Sequence, residues 1–176
     1  MIENISVSNY QADFIFPETV CVGEAVEFQD NSTAGVNQWE WNFGGLGSSN
    51  EENPSFTFAG AGTYNIQLST NNTTSGCSGS LSGEIVVEAT PVPSFVADIT
   101  TDCAPASVNF INTSPVGETF NWIFGNGETF SGQNPPGQIY SSAGSYNVSL
   151  TMTTANGCTG AFTAVSYTHL TLPTKG

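Results

Sequence analysis

The feature that most constrains this chain is an internal repeat with a period of about 81 residues. The segment Trp41-Asn-Phe43-Gly44 recurs as Trp122-Ile-Phe124-Gly125, and four other blocks recur around it in the same order. Those blocks pair Cys21 with Cys103, Asn53-Pro54 with Asn134-Pro135, Gly62-Thr-Tyr64 with Gly144-Ser-Tyr146, and Gly76-Cys77 with Gly157-Cys158. Matched blocks in a fixed order indicate a duplication, so the chain contains two copies of one folding unit.

Within each copy, apolar residues alternate with polar ones, which is typical of a β-strand with one buried face. Trp39, Trp41 and Phe43 share one face of their segment, while Glu40 and Asn42 lie on the other. The first copy has such segments near residues 12–16, 25–30, 38–43, 55–58, 63–70 and 84–88. Turn-forming Gly, Asn, Ser and Pro clusters separate them. The pattern predicts an all-β chain of two tandem immunoglobulin-like β-sandwiches.

The repeat also sets the expected domain boundaries. We expect the end of a preceding repeat at 1–9, repeat 1 at 10–90, repeat 2 with a truncated last strand at 91–164, and a foreign segment at 165–176. The last segment contains the only histidine, His169, and the only Lys or Arg, Lys175. Its back-translation resembles a sequencing adapter, so we interpret it as read-through.

The charge of the chain excludes several classes of partner. There are 15 Asp and Glu residues against one Lys or Arg, and the formal net charge is −14. Neutralising phosphates requires cationic side chains, so the composition excludes nucleic acid and a basic membrane-binding patch. No apolar run reaches the roughly 18 residues of a membrane-spanning helix. We therefore expect neither nucleic-acid binding nor direct membrane insertion.

The shared motifs resemble those of the PKD (polycystic kidney disease) repeat family. Its pattern is Trp-x-Phe-Gly-x-Gly, then Asn-Pro, then an aromatic residue, then Gly-x-Tyr-x-Val-x-Leu. Repeat 1 carries Trp41, Phe43, Gly44, Asn53, Pro54, Phe58, Gly62 and Tyr64, and repeat 2 carries Trp122, Phe124, Gly125, Asn134, Pro135, Tyr140, Gly144 and Tyr146. The resemblance covers residues 10–164. It departs from the family where acidic turn residues are usual, because Asn42 and Asn126 stand near those positions, so no calcium role is carried over.

The resemblance implies a non-catalytic spacer in a larger secreted or cell-surface, adhesin-like protein. A cysteine before the second strand and an Asn-Gly-Cys ending are similar to repeats in surface proteins of gliding bacteria that are exported by the type IX route. The expected partners are neighbouring repeats of the same chain and an extracellular glycan or protein.

The aromatic residues support two hypotheses. Trp41 and Trp122 are expected to fill the sandwich cores, since a buried indole removes about 150–250 Å² from water. Trp39 and its counterpart Phe120 are the candidates for stacking against a ligand ring. The alternative function is therefore a carbohydrate-binding module for extracellular polysaccharide.

Catalytic and metal sites are not predicted. Up to Thr174 the chain has no Lys or Arg and a single His, so it offers no catalytic constellation and is not expected to be an enzyme. The acidic residues Glu51, Glu52, Asp30, Asp98 and Asp102 lack the spacing of a calcium loop and are interpreted as solvated surface charge. No cofactor is implied.

Cys21, Cys77, Cys103 and Cys158 are disulfide candidates, because an exported chain permits disulfides. One pairing is within each repeat, Cys21–Cys77 and Cys103–Cys158. The two turns involved, however, lie at opposite ends of such a sandwich, about 20 Å apart, whereas a disulfide needs Cα atoms within about 7 Å. The alternative is a Cys21–Cys158 bond between the repeats. Both pairings remain open at this point.

Overall fold

The computed structural model describes residues 10–100, 102–115 and 119–168. Every regular element in these residues is a β-strand, and the chain divides into two compact units between Ala89 and Thr90. The predicted all-β fold class is confirmed. The expected remnant at 1–9 and residues 169–176 of the expected foreign segment lie outside the described residues.

Repeat 1 is a sandwich of two layers. Its strands are β1 (Phe14–Ile15), β2 (Thr19–Cys21), β3 (Ala25–Glu27), β4 (Gln29–Asp30), β5 (Gln38–Phe43), β6 (Ser48–Ser49), β7 (Ser55–Thr57), β8 (Gly62–Asn72) and β9 (Cys77–Glu88). One layer is a five-stranded sheet in the order β2-β9-β8-β5-β6, and the other contains the pairs β1–β4 and β3–β7. All pairs are antiparallel except β2–β9, which is parallel.

Repeat 2 repeats this plan with eight strands. They are β10 (Phe95–Ala97), β11 (Ala106–Val108), β12 (Phe110–Asn112), β13 (Thr119–Ile123), β14 (Thr129–Ser131), β15 (Gln138–Tyr140), β16 (Gly144–Thr153) and β17 (Thr159–Thr168). One layer is a four-stranded sheet in the order β14-β13-β16-β17, and the other contains the pairs β10–β12 and β11–β15. Strand β17 continues four residues past Ala164, into the segment interpreted as foreign.

Strand β9 is much longer than the pattern predicts. It begins at Cys77 rather than near residue 84 and pairs with β8 from Asn72↔Cys77 to Gly62↔Val87. Residues 77–83 are mostly small and polar, so no alternation marks them as a strand. Their pairing comes from the neighbouring strand. The three-residue strand β2 and the two-residue strand β6 were not predicted either, because they are too short to show alternation.

The core of repeat 1 is a closed cluster of aromatic and aliphatic side chains between the two layers. Its buried members are Phe14, Val26, Phe28, Trp41, Phe43, Phe58, Ile66, Leu68, Ile85 and Val87. Trp41 is fully buried; its ring lies 5.3 Å from that of Phe14 in an edge-on contact and 5.7 Å from that of Phe28. Both of these phenylalanines belong to the opposite layer, so Trp41 links the two layers.

Repeat 2 builds the same core from the equivalent positions. Its buried members are Phe95, Val108, Phe110, Phe120, Trp122, Phe124, Tyr140, Val148, Leu150 and Met152. The ring of Trp122 lies 5.2 Å from that of Phe95 and 5.9 Å from that of Phe124, to which it is nearly parallel. Each repeat therefore has its own hydrophobic core.

We expect Trp41→Ala to lower the free energy of unfolding of repeat 1 by about 3–5 kcal/mol, because it removes buried ring contacts and leaves a cavity. Chemical denaturation combined with amide hydrogen exchange measures this change and assigns it to residues of repeat 1. The matched control is Leu46→Ala, since Leu46 is 55% exposed and should change stability by less than about 0.5 kcal/mol. Equal effects of the two substitutions would contradict the core assignment.

Candidate functional site

The Trp-x-Phe-Gly motif ends its strand in a tight turn. Gly44 and Gly45 have φ angles of 64° and 80°, and Gly125 and Gly127 have angles of 75° and 98°, a region that favours glycine. A Cβ added at Gly125 would lie 2.7 Å from the carbonyl oxygen of Asn147, so a side chain does not fit there. The glycines of the motif are thus required by the backbone.

The indole N–H groups of the two core tryptophans donate hydrogen bonds to backbone carbonyl groups of their own repeat. The indole N–H of Trp41 donates to the carbonyl oxygen of Glu51 at 2.9 Å, and that of Trp122 donates to the carbonyl oxygen of Gly132 at 3.0 Å. Because both rings are buried and both donors are satisfied, neither tryptophan presents a surface to a ligand.

The tyrosines of the motif also close the fold. Tyr64 donates its hydroxyl to the carbonyl oxygen of Gly60 at 2.9 Å, and Tyr146 donates to that of Ser142 at 2.8 Å. Tyr140 is buried and donates to the carbonyl oxygen of Phe124 at 3.0 Å, and burial raises the pKa of its hydroxyl to about 12. The bonds of Tyr64 and Tyr146 close the turns that lead into β8 and β16, and the bond of Tyr140 ties β15 to the motif turn of repeat 2.

The Asn-Pro segments follow the edge strands β6 and β14. In repeat 1, the side-chain oxygen of Asn53 accepts the backbone N–H of Asp30 at 2.9 Å, and Pro54 is buried. In repeat 2, Asn134 is exposed and Pro135 is half-buried. The segment of repeat 1 therefore ties a loop to the opposite layer.

The two candidates for ligand stacking differ in the structure. Phe120 is only 5% exposed and belongs to the core of repeat 2, so the prediction that it stacks on a ligand is wrong. Trp39 is half-buried and packs against the core of repeat 1, and its indole N–H donates to the carboxylate of Asp30 at 2.9 Å. Its ring thus connects β5 with β4, across the two layers.

Of the five acidic residues singled out in the sequence, Asp30, Asp98 and Asp102 accept hydrogen bonds, whereas Glu51 and Glu52 are exposed. One oxygen of Asp98 accepts the backbone N–H groups of Ile99 and Asn109, and the other accepts the side-chain amide of Asn109 at 2.7 Å. The hydrogen bonds from Asn109 hold the pKa of this carboxyl below its ordinary value. Asp102 accepts the backbone N–H of Cys103 at 2.7 Å. Nowhere in residues 10–100, 102–115 and 119–168 do three His, Cys, Asp or Glu side chains gather in a group that could hold a metal ion.

The cysteines do not pair within the repeats, so that prediction is wrong. Cys21 lies beside Glu88 at the end of β9, whereas Cys77 begins that strand as an exposed, free thiol. Eleven residue steps of β9, from Cys77 to Glu88, separate the two by about 36 Å. The Cys103–Cys158 bond is not formed either. Neither Cys21 nor Cys158 is a free thiol, since each belongs to a disulfide.

One concave surface is lined by side chains that sequence reasoning did not assemble. It is an open depression of about 940 Å³ over β5, β8 and β9 of repeat 1. The residues that line it are Asn37, Gln38, Trp39, Glu40, Asn50, Ser69, Thr70, Asn71, Ser78, Gly79 and Ser80. Alternation alone places Gln38 and Glu40 on this face. Ser78 and Ser80 could not be placed, because their segment carries no strand signal.

A family comparison decides the identity of the repeats. The model of the PKD domain matches residues 10–87 and residues 88–169. The chain belongs to the PKD domain family. Together the two matches cover the residues that form both sandwiches.

Solved structures include PKD domains with similar sequences. The PKD1 domain of the Vibrio anguillarum protein Epp is 31% identical, with 47% of this chain and 96% of that chain covered and a TM-score of 0.39. The PKD1 domain of the Vibrio cholerae metalloprotease PrtV is 27% identical, with 45% and 96% covered and a TM-score of 0.39. The D1–D4 ectodomain fragment of ICAM-5 is 11% identical, with 92% and 47% covered and a TM-score of 0.53, which is a likeness of immunoglobulin-like fold.

Among the described residues of this PKD chain, no helix is long and apolar enough to cross a bilayer.

We expect the stability of the chain to fall as the pH rises from 10 toward 12. The raised pKa of Tyr140 means that the folded state holds this proton more tightly than the unfolded state. The resulting stabilisation is complete below pH 10 and is lost as the pH passes through the folded-state pKa of about 12. Denaturant unfolding at several alkaline pH values measures the loss. Tyr140→Phe should flatten this dependence, and an unchanged slope in the variant would refute the assignment.

Proposed function

We propose that this pair of PKD domains is a non-catalytic, load-bearing spacer in a larger secreted or cell-surface protein. The observation that supports this function most strongly is the parallel pairing of β2 with β9 in repeat 1. These are strands near the beginning and at the end of the repeat, and they lie side by side over Thr19↔Val86, Val20↔Val87 and Cys21↔Glu88.

Parallel terminal strands resist tension in a particular way. Pulling the two ends of repeat 1 apart draws β2 and β9 in opposite directions along their own axes. The hydrogen bonds between them are then sheared together instead of breaking one at a time. The flanking bonds run from the Val86 N–H to the Glu18 carbonyl and from the Val22 N–H to the Glu88 carbonyl, each at 2.9 Å. This pairing therefore acts as a mechanical clamp between an early strand of repeat 1 and its last strand.

Several properties support an extracellular location. Disulfide-bonded cysteines are typical of proteins in oxidising compartments, and PKD and immunoglobulin-like domains are generally non-catalytic extracellular modules. The large negative charge favours solubility and disfavours nucleic-acid partners. The resemblance carried by Cys21 and the Asn-Gly-Cys ending at Cys158 extends the proposal to an adhesin-like surface protein of a gliding bacterium, exported by the type IX route. Its partners are neighbouring repeats and an extracellular protein or glycan.

We expect Val22→Pro to lower the unfolding force of repeat 1, because proline lacks the N–H that bonds to Glu88. Single-molecule force spectroscopy on the full chain under reducing conditions measures this force. Each repeat should unfold in a separate event that lengthens the chain by up to about 3.6 Å per residue released.

The matched control is Val92→Pro. Val92 is 77% exposed and lies between two prolines, and no hydrogen bond of its backbone N–H is found among the described residues. It should leave the unfolding force of repeat 1 unchanged. The load-bearing role is wrong if the two variants unfold at the same force as the parent chain.

A further inference from the structure

We infer that the outward face of β5, β8 and β9 in repeat 1 is a binding site for a neutral saccharide, an inference that rests on the proposed function and specifies its glycan partner. The residues that form this polar face are Gln38, Glu40, Ser69, Asn71, Ser78 and Ser80. The strand register arranges them in two rows across the sheet, one running Gln38–Asn71–Ser78 and the other Glu40–Ser69–Ser80.

The polar face is concave and rigid. It forms the floor of the open cavity of about 940 Å³, with Asn37 and Asn50 among the other residues that line it. The three strands are hydrogen-bonded along its whole width, so neighbouring side chains are fixed about 4.8 Å apart from strand to strand. A site on paired strands is preorganised, which reduces the entropy lost when a ligand binds.

The chemistry of the polar face selects the class of ligand. All six side chains end in an amide, a hydroxyl or a carboxylate, and none is apolar. The centre of a protein–protein interface is instead rich in aromatic and apolar groups. An anionic ligand is disfavoured, because no Lys or Arg occurs among the described residues. A neutral ligand dense in hydroxyl groups, which both donate and accept, matches the face.

The hydrogen-bonding capacity of the polar face is largely unused. The Asn71 amide donates to the Gln38 side-chain oxygen at 3.1 Å, which orients both side chains. That contact leaves the two Gln38 donors and the Asn71 oxygen available to a ligand. The side chains of Glu40, Ser69, Ser78 and Ser80 make no hydrogen bond to other described residues. These groups therefore point to a partner with many hydroxyls.

Repeat 2 provides an internal control. The equivalent rows are Thr119–Thr153–Thr159 and Asn121–Thr151–Ala161. The oriented amide pair is replaced by two threonines, and one serine is replaced by alanine. The side-chain oxygen of Asn121 already accepts a hydrogen bond from Ser131 at 2.7 Å. The binding is thus expected on repeat 1 alone.

The test measures binding of the full chain to a panel of immobilised neutral oligosaccharides. Sulfated and uronic-acid glycans form a second, anionic set for comparison, called the anionic arm. We expect binding to at least one neutral glycan and none to the anionic arm. The double variant Gln38→Ala/Asn71→Ala should weaken that binding about tenfold or more, the loss that corresponds to one or two hydrogen bonds. The matched control Thr119→Ala/Thr153→Ala in repeat 2 should bind as the parent chain does.

Circular dichroism and thermal unfolding establish that both double variants are folded before binding is compared, and Ser80→Ala serves as a milder second variant. The inference is overturned if no neutral glycan binds, if the anionic arm binds better, or if the repeat 2 control weakens binding as much as the repeat 1 variant. None of these outcomes bears on the spacer function, which is tested under force without a ligand.

Discussion

The burial of one tryptophan between two sheets is the interaction on which the rest of each repeat depends. Trp41 contacts phenylalanines of the opposite layer, and its N–H is satisfied by the Glu51 carbonyl, so it holds the layers together without leaving an unpaired donor. Trp122 does the same in repeat 2 through the Gly132 carbonyl. A unit of about 80 residues buries only a modest core, so one ring of this size accounts for much of it.

This use of the aromatic residues explains the character of the surface. Because side chains alternate along a strand, a strand that sends Trp41 and Phe43 inward must send Glu40 and Asn42 outward. The exterior of the larger sheet in repeat 1 consequently carries mainly amide, hydroxyl and carboxylate side chains. In repeat 1 the same fold also brings the early strand β2 beside the last strand, β9, in a parallel hydrogen-bonded pair.

Much of the fold was predictable because its signals are local. The period of the repeat and the alternation around Trp41 and Tyr64 predict a sandwich without any knowledge of pairing. The long β9 was not predictable, since residues 77–83 become a strand only through their contact with β8. The error for Phe120 has a similar origin, because alternation gives the face of a residue but not whether a neighbouring strand covers it.

The site was predicted less well than the fold. The sequence suggested an aromatic stacking surface at Trp39. In the structure the indole N–H of Trp39 donates to Asp30, and this bond connects the two layers of the sandwich. The polar face was missed because a third of it, Ser78 and Ser80, lies on β9, and nothing in the sequence shows the register that aligns these serines with β5 and β8. The Cys21–Cys77 disulfide was predicted because both cysteines recur at matching places in the two repeats. In the structure the length of β9 separates them, since Cys77 begins this strand and Cys21 lies beside Glu88 at its end.

The most direct test of the core account is hydrogen–deuterium exchange of the three indole N–H groups, followed by NMR. The Trp41 and Trp122 signals should persist much longer than that of the half-buried Trp39, because the first two indole N–H groups exchange only when a repeat unfolds. Rapid loss of the Trp41 or Trp122 signal, at the rate of Trp39, would contradict the claim that these rings close the two cores.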